Sequence, residues 1–185
     1  MSDHRSPGHD TLARLLHWMT VAALAIMIPV GMAMTSAGFG AIGDELYIVH
    51  KNLGVIILLL VAFRIAWRLI RRPEPLPASV PPLQRRIAGT THALLYVFLL
   101  IMPITGYIRT VGGDFPIELL DALGMPPLVP VMEDTAEVFS VIHKFSAYAM
   151  LVLISAHVTA AFQHALIHRD GVMGRIWPPV ATRKG

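Results

Sequence analysis

Val138-Phe-Ser-Val-Ile-His143-Lys144-Phe-Ser-Ala-Tyr-Ala-Met150-Leu-Val-Leu-Ile-Ser-Ala-His157-Val-Thr-Ala-Ala-Phe-Gln-His164-Ala-Leu-Ile167 is the stretch that decides the fold. It is longer than the roughly 20 helical residues that cross a bilayer's hydrocarbon core. His143 and His157 lie fourteen positions apart within it. At about 3.6 residues per turn, that spacing makes almost four whole turns, so both imidazoles leave one helix face about 21 Å apart along the axis. A single membrane helix can therefore offer one ligand to each of two cofactors.

Three more segments are apolar over a comparable length, from Leu12 to Met34, from His50 to Ile70 and from Ile87 to Ile108. The first exceeds the usual core of a secretory signal and contains a histidine, so it reads as a retained span. Composition agrees: of 185 residues 55% are hydrophobic and 15% charged, with a mean hydropathy of +0.61. A soluble domain carries nearer a quarter charged residues. The expected fold is an all-α membrane protein, a four-helix transmembrane up-and-down bundle forming one domain over 1–180, with a short polar tail at 181–185. Between the second and third spans lies a basic, proline-rich connection, Arg71 to Arg86. Between the third and fourth, Gly112 to Glu137 is an acidic loop in which Phe115 to Leu123 reads as a short amphipathic helix.

Sidedness follows from the flanking cations, which are retained in the cytoplasm. With both termini inside, every Lys and Arg falls on the cytoplasmic side except Lys51, Arg109 and Lys144. The acids Asp44, Glu45, Asp114, Glu118, Asp121, Glu133, Asp134 and Glu137 collect on the outer side. A pI near 9.6 thus reflects orientation in a membrane, and nucleic acid is not expected as a partner.

This topology converts histidine positions into depths. His50 and His143 share an outer level, and His17 and His157 share an inner one. Each pair can supply two axial nitrogens to one haem iron, a closed coordination that favours electron transfer over oxygen binding. The absence of cysteine excludes iron–sulfur clusters and covalent c-type attachment, so the expected cofactors are two haem b groups held non-covalently. His92 opens the third span near the depth of His17 and is the alternative inner ligand, or else a hydrogen-bonding neighbour. Arg14, Arg85 and Arg86 suit the inner haem propionates, because guanidinium matches carboxylate in bidentate geometry.

The chain resembles the bacterial cytochrome b561 proteins of the inner membrane. The resemblance runs from about Arg14 to Pro178 and is carried by Arg14-Leu-Leu-His17-Trp18, His50-Lys51-Asn-Leu-Gly54, Arg64-Ile-Ala-Trp67-Arg68, His92-Ala-Leu-Leu-Tyr96, Met102-Pro103-Ile-Thr-Gly106-Tyr107, Ile142-His143-Lys144, His157, His164 and Asp170-Gly171-Val172. It implies a di-haem b protein with His17, His50, His143 and His157 as ligands. It also implies a quinone-linked electron carrier, and some members of the family act as superoxide oxidases that pass an electron to ubiquinone.

The residues fit that chemistry in two places. Lys51, Arg109 and Lys144 gather where the outer haem is expected, forming either an electropositive funnel for superoxide or partners for propionates, or both. His164, two turns beyond His157, suits a proton donor to a quinone carbonyl, or else an interfacial or propionate-binding role. Met150, midway between His143 and His157, reads as filler between two macrocycles. Pro29 with Gly31, and Pro103 with Gly106, are expected to loosen their helices near a cofactor. Trp18, Trp67 and Trp177 read as interfacial anchors on the cytoplasmic side. The leading expectation is a superoxide:ubiquinone oxidoreductase of the bacterial inner membrane. A cytochrome b subunit serving a partner dehydrogenase or periplasmic donor is the first alternative, and a haem-free transporter or scaffold the second.

Overall fold

The computed structural model describes residues 10–36, 42–73, 75 and 80–177. The tail at 181–185 and residues 1–9 lie outside the described residues. Four long helices dominate: α1 (Thr11–Ala33), α2 (Ile42–Ile70), α3 (Pro82–Gly112) and α5 (Glu133–Phe162), with the short α4 (Glu118–Ala122) before the last. Each long helix is long and apolar enough to cross a membrane, the last with its continuation to His168.

Helix ends follow local chemistry. Asp10 caps α1 by accepting a 2.7 Å hydrogen bond from the Ala13 amide. Asp44 and Glu45 occupy the first turn of α2, where carboxylates suit the positive end of the helix dipole. These acids let α2 begin ahead of the apolar run, so His50 lies about two turns inside the helix rather than at its start. Pro81 and Pro82 start α3 instead of preventing it, since a proline near N1 lacks only an amide that has no helical partner anyway. The expected amphipathic helix in the acidic loop is shorter than anticipated, five residues from Glu118 to Ala122.

Contacts at the helix ends settle the topology. The Trp67 indole, late in α2, donates to the Asp10 carboxylate at the start of α1. The start of α2 and the end of α3 face one cavity, through His50 and Lys51 on one side and Arg109 and Thr110 on the other. The Met132 amide donates to the Gly112 carbonyl, joining the end of α3 to the start of α5. Successive long helices are therefore antiparallel, and the bundle has a His17 end and a His50 end. Packing runs mainly from α1 to α2, α2 to α3 and α3 to α5.

Ile57, Val61, Leu99 and Met150 form the buried centre. Outward-facing side chains are just as apolar, with Leu59 66% exposed, Val152 69% and Leu69 73%. Water would make such a surface costly; a lipid environment makes it the favourable one. At the His17 end, the Trp18 indole donates to the Ile176 carbonyl and its ring meets Trp177 edge to face, 5.2 Å between centroids. That contact ties the C-terminal segment back onto α1.

Candidate haem-binding site

The fold brings the four histidines together in two pairs. His50 of α2 and His143 of α5 have ring centroids 6.2 Å apart with planes at 78°. His17 of α1 and His157 of α5 have centroids 6.4 Å apart with planes at 71°. An imidazole nitrogen bonds a transition metal at about 2.0–2.1 Å with its ring centroid ~1.1 Å further back, so two rings flanking one metal stand roughly 6.3 Å apart. Both pairs match that span. His92 approaches His157 more closely, 5.2 Å between centroids, which is too near for a metal between those two rings. Among the described residues no group of three or more His, Asp or Glu side chains is assembled for a metal ion. Two facing imidazoles are a ligand set that haem iron accepts.

Glycines make room for the outer pair. A Cβ on Gly31 would stand 2.9 Å from Cε1 of His50, and one on Gly106 would stand 3.2 Å from Cε1 of His143. Their expected association with a cofactor site therefore has a direct steric cause: each ring lies against a bare helix backbone.

The hydrogen bonds decide which ring nitrogen is available. His143 Nδ1 lies 3.0 Å from the Met102 carbonyl and 3.1 Å from Thr105 Oγ1. A carbonyl only accepts, so Nδ1 carries the proton and Nε2 keeps its lone pair for a metal. His50 Nδ1 is buried with no hydrogen-bond partner among the described residues, an uncompensated polar atom beside the same space. His17 is arranged oppositely. The Arg64 guanidinium, which can only donate, reaches its Nδ1 at 2.9 Å, so the proton sits on Nε2. Metal ligation through Nε2 requires that contact to yield.

An apolar cavity of about 840 Å³ opens between the helices beside His50 and His143 and extends to Met150. This volume falls within the range of cofactor pockets. Lys51 and Arg109 line it, whereas Lys144 does not and is exposed to solvent. Lys51 is also engaged: its Nζ donates to the Pro116 carbonyl at 2.7 Å and pairs with Glu118 at 2.6 Å. The Leu119 amide donates to Asn52 Oδ1. Together these contacts fasten α4 and its loop to α2. Burial would raise the Glu118 carboxyl, but the hydrogen bond and charge of Lys51 hold it below its ordinary value.

At the other end, Arg14 is buried one turn before His17. His164 lies in a π-helical turn, Gln163–His168, that follows α5. Its Nδ1 meets Asp170 Oδ2 at 2.5 Å, with both side chains largely shielded. Arg169 (φ 49°) and Gly171 (φ 80°), both left-handed, flank Asp170 and turn it back onto His164. The bond to His164 helps hold the Asp170 carboxyl below its ordinary value although burial acts to raise it.

Comparison with known proteins decides the family. Residues 8–179 match the profile of prokaryotic cytochrome b561. The chain belongs to that family. Its members are membrane electron-transfer proteins that bind haem b, and the haem-free transporter or scaffold falls with that finding. The cytochrome b561 homolog 2 of Escherichia coli (strain K12) is 25% identical over 173 residues, covering 91% of this chain and 90% of that protein. The protein named "Probable superoxide oxidase CybB" of Yersinia pestis is 26% identical over 172 residues, covering 88% of this chain and 92% of its own. Each alignment thus covers about nine-tenths of this b561-family chain and of the relative.

Several residues at this site were not visible in the sequence as parts of it. Thr105 and the Met102 carbonyl orient His143, Arg64 engages His17, and Glu118 with Asn52 anchors the loop. Arg64, Met102, Thr105, Asn52 and Asp170 all stand inside the motifs that carry the resemblance, but no local pattern gave them these contacts; Glu118 stands outside every motif.

Proposed function

We propose that this b561-family protein oxidises superoxide at its periplasmic face and reduces ubiquinone toward the cytoplasmic face, with both termini in the cytoplasm of a bacterial inner membrane. The observation that carries the reading is the presence of two histidine pairs, at 6.2 and 6.4 Å, at opposite depths of one membrane bundle. His50 with His143 would hold one haem b and His17 with His157 a second, and the haems supply one-electron transfer when bound. Two superoxide anions give up two electrons and leave as dioxygen; one quinone takes up those electrons with two protons and leaves as quinol.

The protein's own residues serve the two ends differently. At the outer end Arg109 and Lys51 place positive charge in the cavity wall and Lys144 adds it at the surface, which favours the approach of a small anion. Lys51 contributes less to that field than its formal charge suggests, because Glu118 pairs with it. At the inner end Asp170 accepts from His164 Nδ1, leaving Nε2 to exchange a proton with a quinone oxygen. Arg14, buried beside His17, is the proposed partner of an inner haem propionate.

Purified haem-loaded protein, given enzymatically generated superoxide and a short-chain ubiquinone, is expected to form quinol without any second polypeptide. A requirement for an added dehydrogenase or periplasmic donor would instead support the subunit reading.

A further inference from the structure

A second cavity, of about 460 Å³, lies where the end of α2 meets the middle of α3. Ile65, Arg68 and Leu69 line it from one face of the last turns of α2 and Arg72 from just beyond the helix end, faced by Tyr96 and closed by Pro73. Arg64 and Arg68 both lie over the Tyr96 ring, at 5.2 and 5.4 Å. Arg64 turns inward to His17, while Arg68 and Arg72 are exposed. Among the described residues no carboxylate lines this groove. From Arg64 to Arg86 the sequence places Glu74 as the sole acid among six arginines. Leu69, 73% exposed, lines the same groove.

We propose that this groove is a binding site for the phosphate of an anionic phospholipid in the cytoplasmic leaflet. Aligned guanidinium groups at the end of an apolar span suit a phosphodiester at headgroup depth, and the adjoining Leu69 and Ile65 suit the first segment of an acyl chain. Stacking on Tyr96 fixes Arg68 before the lipid arrives, so little side-chain freedom is lost on binding. The site depends on the proposed orientation only for the choice of leaflet, and it needs neither superoxide nor quinone chemistry.

Native mass spectrometry of the haem-loaded protein, titrated with phosphatidylglycerol or phosphatidylcholine in mild detergent, tests the assignment. Phosphatidylglycerol adducts are expected on the native chain. The Arg68→Gln/Arg72→Gln double variant should weaken them about twenty-five-fold, since each basic group near such a headgroup contributes on the order of fivefold. Arg72→Gln alone should weaken them about fivefold, Arg85→Gln/Arg86→Gln should leave them unchanged, and excess inorganic phosphate should not displace them. Equal losses from both double variants would mean diffuse attraction to basic loops and would overturn the site. Displacement by inorganic phosphate would make it a site for free phosphate. Loss of haem from Arg68→Gln/Arg72→Gln would show that the groove serves a propionate instead.

Discussion

Gly31 and Gly106 lack a side chain where His50 and His143 need room. Gly31→Ala puts a methyl carbon 2.9 Å from the His50 ring, closer than carbon atoms tolerate, while Gly106→Ala meets His143 at the slightly looser 3.2 Å. Gly31→Ala is therefore expected to halve the haem content by emptying the outer site, and Gly106→Ala to do so less completely. A pyridine haemochrome assay per mole of protein checks both; unchanged content in Gly31→Ala would count against His50 as a ligand. Asp170→Ala removes the acceptor that keeps the His164 proton on Nδ1. Quinone reduction should fall roughly a hundredfold, the ordinary scale of a general acid's contribution. The spectrum of both haems should stay unchanged, because His164 is not one of the proposed ligands.

Among the elements, α4 is held to α2 by Lys51 and Asn52. With the Glu118 carboxyl held below its usual 4.5, its contribution to loop attachment is fully present above that value and is lost as pH falls through the lower folded value. Hydrogen-exchange protection at 113–132, relative to the intrinsic rate at each pH, should fall as pH drops below 4.5 in the native chain, and Glu118→Gln should show the lower protection already at pH 7. Protection that does not change with pH would contradict the clamp. The four spans were legible because hydrophobic length is a one-dimensional property, and the pairing of His17 with His157 and of His50 with His143 followed once alternating direction set the depths. The element ends were less legible: Asp44 and Glu45 read as loop acids until they are seen as a helix start, and Pro82 as a breaker until it stands at the first turn. The contacts of Lys51 with Glu118 and of Arg64 with His17 join positions 67 and 47 residues apart. Loop closure and side-chain reach determine such pairings, and neither shows in a local pattern.

For the molecule as a whole, the account requires two electrically distinct ends. Neutralising Arg109 and Lys144 together should slow superoxide-dependent quinone reduction about tenfold at low ionic strength and flatten its dependence on salt. Lys51→Gln should slow it less, because that charge is already offset by Glu118. Stopped-flow rates across an ionic-strength series separate these effects. The buried group of Ile57, Val61, Leu99 and Met150 lies between the two histidine levels and keeps them as separate sites within one bundle. The most direct measurement is the haem-to-polypeptide ratio of the purified protein and of its His143→Ala and His157→Ala variants. The account predicts two haems in the native chain and one in each variant, with different reduced spectra remaining; a ratio of one in the native chain, or of two in either variant, would contradict it.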